Sequence, residues 1–158
     1  MPCRTRKQGA KPKVRCTASS KNNWQAPKTY ARAAWWGFPS ASSFAIQLIN
    51  AAGANAIGVI SEEDKREFVM SLGAKGVINR KDFKCWGQLP KVNSPEYATW
   101  LTEARRFGKA IWDITGKGVN VDMVFEHPGE ATFPVSSLVC KKGGMVVICA
   151  GTTGFNCT

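Results

Sequence analysis

Residues 55–79 read NAIGVISEEDKREFVMSLGAKGVIN, and this stretch decides the fold. Asn55-Ala56-Ile57-Gly58-Val59-Ile60 is a run of small and β-branched residues, the composition of a strand buried on both faces. Ser61 follows directly as an expected helix N-cap. Glu62, Glu63 and Asp64 fall in the first turn, where negative charge meets the positive end of the helix dipole. The expected helix spans Glu62 to Leu72 and closes at Leu72-Gly73-Ala74, and Gly76-Val77-Ile78-Asn79 is a further strand. A strand–helix–strand pattern at this spacing requires a parallel pair joined by a right-handed crossover.

The pattern continues in both directions. Upstream, residues 30–36 form a strand, though without the Val/Ile richness of a central parallel one. Gly37-Phe38-Pro39-Ser40 breaks it, and Ser40 or Ser42 caps a helix with apolar Phe44, Ile46, Leu48, Ile49 and Ala52, ending at Gly53. Downstream, RKDFKCWGQLPKVNS at 80–94 reads as an insertion too apolar to float free. Ser94 then caps a long helix and Pro95 takes its first position, where a missing amide costs nothing. Tyr97, Trp100, Leu101, Ala104, Phe107, Ile111 and Ile114 recur at helical spacing as one apolar face, and Gly116-Lys117-Gly118 ends the helix. Val121 to Phe125 is a buried strand, and Thr132 to Val139 a short helix with Pro134 in its first turn. Lys141-Lys142-Gly143-Gly144 is expected to turn, and Met145 to Ala150 is the most strand-like run, ending in Gly151-Thr152-Thr153-Gly154. The expected class is α/β: a Rossmann-like, doubly wound parallel sheet, incomplete, with about five strands.

A chain of 158 residues is long enough to bury one core. No apolar run approaches the roughly 18–20 residues that span a bilayer, and the N-terminus lacks a signal-peptide core. The net charge is +11, but nine of the 22 basic residues lie within residues 1–32, which hold no acid; the rest of the chain has 13 basic and 11 acidic residues. The basicity therefore belongs to a leader, set at residues 1–28 and read as disordered and solvated, ahead of a globular domain at 29–158. A nucleic-acid tail in residues 1–32, driven by counterion release, is the competing reading. The six cysteines form no C-x-x-C pair and the chain has one histidine, so no metal site is expected. Cys140 and Cys149 sit in apolar runs and read as buried thiols, in keeping with a reduced, cytoplasmic protein.

The single histidine lies in VDMVFEHPGE, residues 121–130, where a hydrophobic strand gives way to a polar turn. In open α/β sheets that edge is where ligands bind. The alternative for His127 is a turn histidine packed locally beside Pro128.

Local sequence goes further than pattern. SLGAKGVINRKDFKCWGQLP (71–90), EARRFGKAIWDITGKG (103–118), VDMVFEHPGEATFP (121–134) and GGMVVICAGTTG (143–154) closely resemble the cofactor domain of the crotonyl-CoA carboxylase/reductases. These enzymes form part of the zinc-independent branch of the medium-chain dehydrogenase/reductase superfamily. The similarity runs from about Ser43 to Thr158. The resemblance implies NADPH as cofactor, an enoyl-CoA and carbon dioxide as substrates, and a homo-oligomeric parent. Hydride goes to the β-carbon of the enoyl thioester, and the enolate so formed attacks carbon dioxide at the α-carbon. It further implies that His127 helps hold carbon dioxide. Ser61 and Lys65, with Arg80 as a second cation, would take the 2′-phosphate of NADPH where an NAD enzyme places an acidic residue; a simple capped helix is the alternative there. Gly151 and Thr152 would lie near the nicotinamide ribose.

Two departures accompany the match. Where the family carries a glycine-rich turn, this chain has Gly37-Phe38-Pro39-Ser40-Ala41-Ser42-Ser43, one residue shorter and with one glycine, so Gly37 alone represents the pyrophosphate-binding turn. Residues before Trp35 do not resemble the family, and the first 40 or so are expected to be foreign to it. The family's substrate domain flanks this segment on both sides. The expectation is thus a fragment, most of an NADPH-binding domain, inactive alone. The alternatives are a nucleotide-binding module of a non-carboxylating quinone or enoyl reductase, and a nucleic-acid-binding protein acting through residues 1–32.

Overall fold

A computed structural model describes residues 31–34, 39–154 and 156. Residues 1–30, with the basic leader, and residues 35–38, with Gly37, lie outside the described residues. The element order is β1 (Ala31–Ala34), α1 (Pro39–Ala51), β2 (Asn55–Ile60), α2 (Arg66–Ser71), β3 (Gly76–Asn79), α3 (Pro95–Thr115), β4 (Val121–Glu126), α4 (Phe133–Val139) and β5 (Cys140–Ile148). The strands form one sheet in the order β3-β2-β1-β4-β5, every neighbouring pair parallel. This is the expected doubly wound arrangement. β1 is its centre despite a sequence, ARAA, of low strand propensity. Its central position makes it a strand: it pairs with β2 on one side and β4 on the other.

Two cores lie on the two faces of the sheet. On one, Ile46 and Ile49 of α1 pack with Ala56 and Ile60 of β2 and Val77 of β3. On the other, Trp100, Ala104, Phe107 and Ile111 of α3 pack with Ile57, Val59, Ile78, Val121 and Val124, and with Val135 and Val139 of α4. The helical spacing on α3 thus predicted its buried stripe, and Ser94 caps it, accepting from the Tyr97 amide at 3.2 Å. Gly58 sits where Val69 of α2 presses on β2, and any side chain there would collide with that valine.

The 80–94 insertion packs as expected. Phe83 and Trp86 meet Phe107 edge-to-face, with ring centroids 5.2 and 5.4 Å apart. The Trp100 indole donates to the Cys85 carbonyl at 2.9 Å, and the Trp86 indole to the Arg80 carbonyl at 2.7 Å.

Several local expectations fail for identifiable reasons. Helix α1 begins at Pro39, so Ser40 and Ser42 fall within it and not ahead of it; proline suits a first helical position. Phe44 and Leu48, expected in the core, point outward and are 67% and 70% exposed. Ser61 does not cap α2. The chain makes a 3-10 turn at Glu63–Lys65 first, and its cap residue, Glu62, makes no side-chain cap bond. The acids meant for the helix dipole are drawn sideways instead: Glu62 pairs with Lys81 at 2.6 Å, and Glu63 pairs with Arg66 and accepts from Asn79 at 3.0 Å. Lys141–Gly144 is not a free turn. β5 starts at Cys140, paired with Val121, and resumes with Met145 opposite Met123, so the four residues form a bulge within the strand. Cys149 is exposed and Cys140 only half-buried, while Cys85 in the insertion is the fully buried thiol.

Phe107 is fully buried at the centre of the larger core. Phe107→Ala is expected to cost about 3–5 kcal/mol, read as a shift in the urea midpoint. Burial pushes the Cys85 thiol up to about 12 from 9.0. Thiol reagents at pH 8 are expected to spare Cys85 until denaturant is added. Because its folded pKa is raised, the stability it contributes is present below pH 9.0 and lost as pH climbs towards about 12.

Candidate active site

All five strands end along one edge, at Ala34, Ile60, Asn79, Glu126 and Ile148. The strand order reverses at β1, whose neighbours are β2 and β4, so the crevice of the sheet opens there. The candidate residues fall on either side of it.

On the β2–β3 side, Ser61 follows the last residue of β2 and Arg80 the last residue of β3. Lys65 ends the 3-10 turn between β2 and α2. Glu62 sits among these cations, and its carboxyl titrates below the ordinary range. The hydrogen bond and charge of Lys81 are the main causes, and the charges of Lys65 and Arg80 add to them. Glu63 is lowered likewise by hydrogen bonds from Arg66 and Asn79. The two acids that complicated an anion site here are thus each paired with a cation, Glu62 with Lys81 and Glu63 with Arg66. Lys81 was not singled out by sequence; its partner is 19 residues away.

On the β4–β5 side, the turn after β4 is organised by Glu126. This residue is fully buried. Its Oε1 accepts from the Gly129 amide at 3.1 Å and from the Thr132 hydroxyl at 2.5 Å, and its Oε2 accepts from the Ser136 hydroxyl. Its carbonyl accepts from the Cys149 amide at 3.0 Å. A buried carboxylate is costly unless its oxygens are satisfied, and here both are. His127 follows. Its Nδ1 is buried and has no hydrogen-bond partner.

The loop after β5 is stitched to this turn. The Pro128 carbonyl accepts from the Thr153 amide at 2.9 Å and the Thr153 hydroxyl at 2.7 Å. That hydroxyl accepts from the Ala131 amide at 3.0 Å, and the Gly154 carbonyl from the Glu130 amide at 3.0 Å. Gly129 has φ +90°, and a Cβ there would meet the Gly154 oxygen at 2.5 Å, so the close approach of the two loops requires glycine. The insertion adds a third support: the Gly87 amide donates to the Ala131 carbonyl at 2.7 Å and the Gln88 amide to Glu130 Oε1 at 2.5 Å.

The structure therefore brings His127, Gly151 and Thr152 to two loops joined by hydrogen bonds. Ser61, Lys65 and Arg80 share the other side of the crevice, and Gly37 lies outside the described residues. Sequence reasoning missed Glu126, Thr132, Ser136 and Thr153. A faint signal existed for three of them. An acid closing a buried strand precedes two hydroxyls spaced one helical turn apart, but nothing local says that they converge.

Among the described residues, no group of three or more His, Cys, Asp or Glu side chains could hold a metal ion. No helix among them is long and apolar enough to cross a membrane.

Residues 42–156 match the family model described as zinc-binding dehydrogenase. The chain is 86% identical over 124 residues to the crotonyl-CoA carboxylase/reductase of Cereibacter sphaeroides, covering 78% of this chain and 29% of that protein. A solved crotonyl-CoA carboxylase/reductase superposes with a TM-score of 0.79 at 69% identity, over 84% of this chain and 32% of that one. The crotonyl-CoA carboxylase/reductase AntE in complex with NADP superposes with a TM-score of 0.76 at 41% identity, over 80% and 32% respectively. The resemblance drawn from local sequence is borne out by these relatives, of which the chain spans less than a third. The described residues offer no zinc-ligand cluster. With nearly three-quarters of its length matched, the chain belongs to the zinc-binding dehydrogenase family.

Proposed function

We propose that this chain is the NADPH-binding portion of a reductive carboxylase acting on crotonyl-CoA or a close enoyl-CoA. The orphaned, buried Nδ1 of His127 carries this reading: a polar atom at the ligand edge, held in a turn whose other polar groups are engaged, is suited to a small polar guest. The likeness to carboxylase/reductases supports the choice of guest, carbon dioxide, which has only oxygen acceptors to offer.

Lys65 and Arg80, whose charges both reach Glu62, fit the 2′-phosphate of NADPH, with Ser61 beside them as its holders. Gly37 belongs to the pyrophosphate turn, and Gly151 and Thr152 to the nicotinamide end. When bound, NADPH supplies the hydride for the β-carbon of the enoyl thioester. The residues of this chain orient the nicotinamide end against the β4–β5 loops. His127 holds carbon dioxide on the α-carbon side, where the enolate's electron pair forms the new carbon–carbon bond. A proton taken up at the α-carbon instead gives the saturated thioester.

The acyl-CoA and further carbon dioxide contacts belong to the substrate domain of the parent. We infer a homo-oligomeric parent in a reducing, cytoplasmic setting; exposed Met145 and Ile148 on the edge strand and three free thiols support that inference.

Three outcomes test this. The isolated chain is expected to oxidise no NADPH with crotonyl-CoA; turnover by it would overturn the assignment of half a site. In the full-length protein, Lys65→Ala with Arg80→Ala should weaken NADPH binding roughly tenfold or more and spare NADH. Equal losses would move the phosphate elsewhere. His127→Asn should cut the carboxylated share of product at limiting carbon dioxide by roughly tenfold, and an unchanged share would favour a non-carboxylating reductase.

A further inference from the structure

We propose that Glu126 is a positioning residue for His127, and that its buried carboxylate sets how far the enolate is carboxylated rather than protonated. The proposal rests on the carboxylase reading above and adds a residue to it.

No hydrogen bond holds the His127 ring at Nδ1. Its direction is inherited from the backbone on either side. That backbone is fixed twice. Behind it, the Pro128 carbonyl is held by both donors of Thr153, and proline fixes φ at 128. Ahead of it, Glu126 ties three elements together. Its carbonyl is bound to the Cys149 amide beyond β5, and its carboxylate to the Gly129 amide of the turn and to Thr132 and Ser136 at the start of α4. One side chain thus spans the strand before the histidine, the turn containing it and the helix after it.

A turn of this kind does not need a carboxylate for stability. An apolar residue at this fully buried position would avoid desolvating a charge altogether. What the carboxylate supplies is direction: fixed acceptors that permit one placement of Gly129, Thr132 and Ser136 relative to β4. A guest as small as carbon dioxide is sensitive to that placement, because a displacement of about 1 Å can cost a hundredfold in rate.

The experiment uses the full-length protein and measures four quantities: the ratio of carboxylated to reduced product, KM for carbon dioxide, the rate of hydride transfer and the Kd for NADPH. Absence of carbon dioxide incorporation in the unsubstituted protein would sink the carboxylase reading and this proposal with it. Where incorporation is present, Glu126→Ala should lower the product ratio and raise KM for carbon dioxide by roughly tenfold. The loss should fall on carboxylation far more than on hydride transfer or NADPH affinity. Glu126→Gln keeps an acceptor for Gly129 and Thr132 and can donate to Ser136, so it should restore most of the ratio. Thr132→Val and Ser136→Ala each remove one donor with little change of volume, and should move the ratio in the same direction in folded protein. Added to His127→Asn, Ser136→Ala should cause no further loss. A normal ratio in folded Glu126→Ala, Thr132→Val and Ser136→Ala proteins would overturn the proposal. So would an equal impairment of all four, the ratio and hydride-transfer rate falling as far as KM and Kd rise, or losses that add to that of His127→Asn.

Discussion

All five strands run in one direction, and the rest of the molecule follows from that constraint. Parallel neighbours cannot be joined by tight turns, so each connection must cross a face of the sheet, and helices α1 to α4 are those crossings. Each crossing needs an apolar stripe, which is why α3 is spaced at Trp100, Ala104, Phe107 and Ile111. The same constraint gathers every strand's carboxyl end along one margin. Residues far apart in sequence, such as Lys65 and Arg80, or Pro128 and Thr153, become neighbours without any local reason to be so. The chemistry then needs only short departures from regular structure along that margin.

The two sides of the crevice use charge differently. Between β2 and β3 the charges are exposed, and pairs such as Glu62 with Lys81 are worth little as structure. They engage Glu62 and Glu63 with neighbouring cations at the surface. At the end of β4 the single charge of Glu126 is fully buried and every contact it makes is a hydrogen bond to a neutral donor. There the field matters less than geometry. The first arrangement tolerates movement of long side chains, and the second forbids it.

The sequence was most legible where signals are local. Ser94-Pro95 marks the start of α3 because cap and first-turn chemistry act within three residues. Asn55–Ile60 is a strand because both its faces are buried, which its composition records. Legibility failed where distant partners overrode local preference. Glu62 and Glu63 looked like helix-dipole acids, but Lys81, Arg66 and Asn79 draw them aside and the first turn tightens. Lys141–Gly144 looked like a turn, but pairing with β4 on either side absorbs it as a bulge. Phe44 and Leu48 carried the right hydrophobicity on the wrong side of α1. Within the candidate site, His127 was visible as the only histidine at a strand end. The grip of Glu126 was not, since its hydroxyl partners lie six and ten residues away and reach it only once α4 is docked.

The bulge in β5 has a bearing on how the chain behaves in concentrated solution. β5 is an edge strand, and an open edge is a template on which other strands can add without limit. Along its first half, Lys142 is exposed, Lys141 pairs with Asp122, the backbone departs from regular pairing, and Gly143 sits at φ +75°. An incoming strand would meet positive charge and a backbone out of register there. Beyond Met145 the guard ends, and Met145 and Ile148 are exposed. Self-association of the separated chain would therefore begin at the 145–148 end of this strand, and the lysine-bearing bulge would limit how far it could propagate.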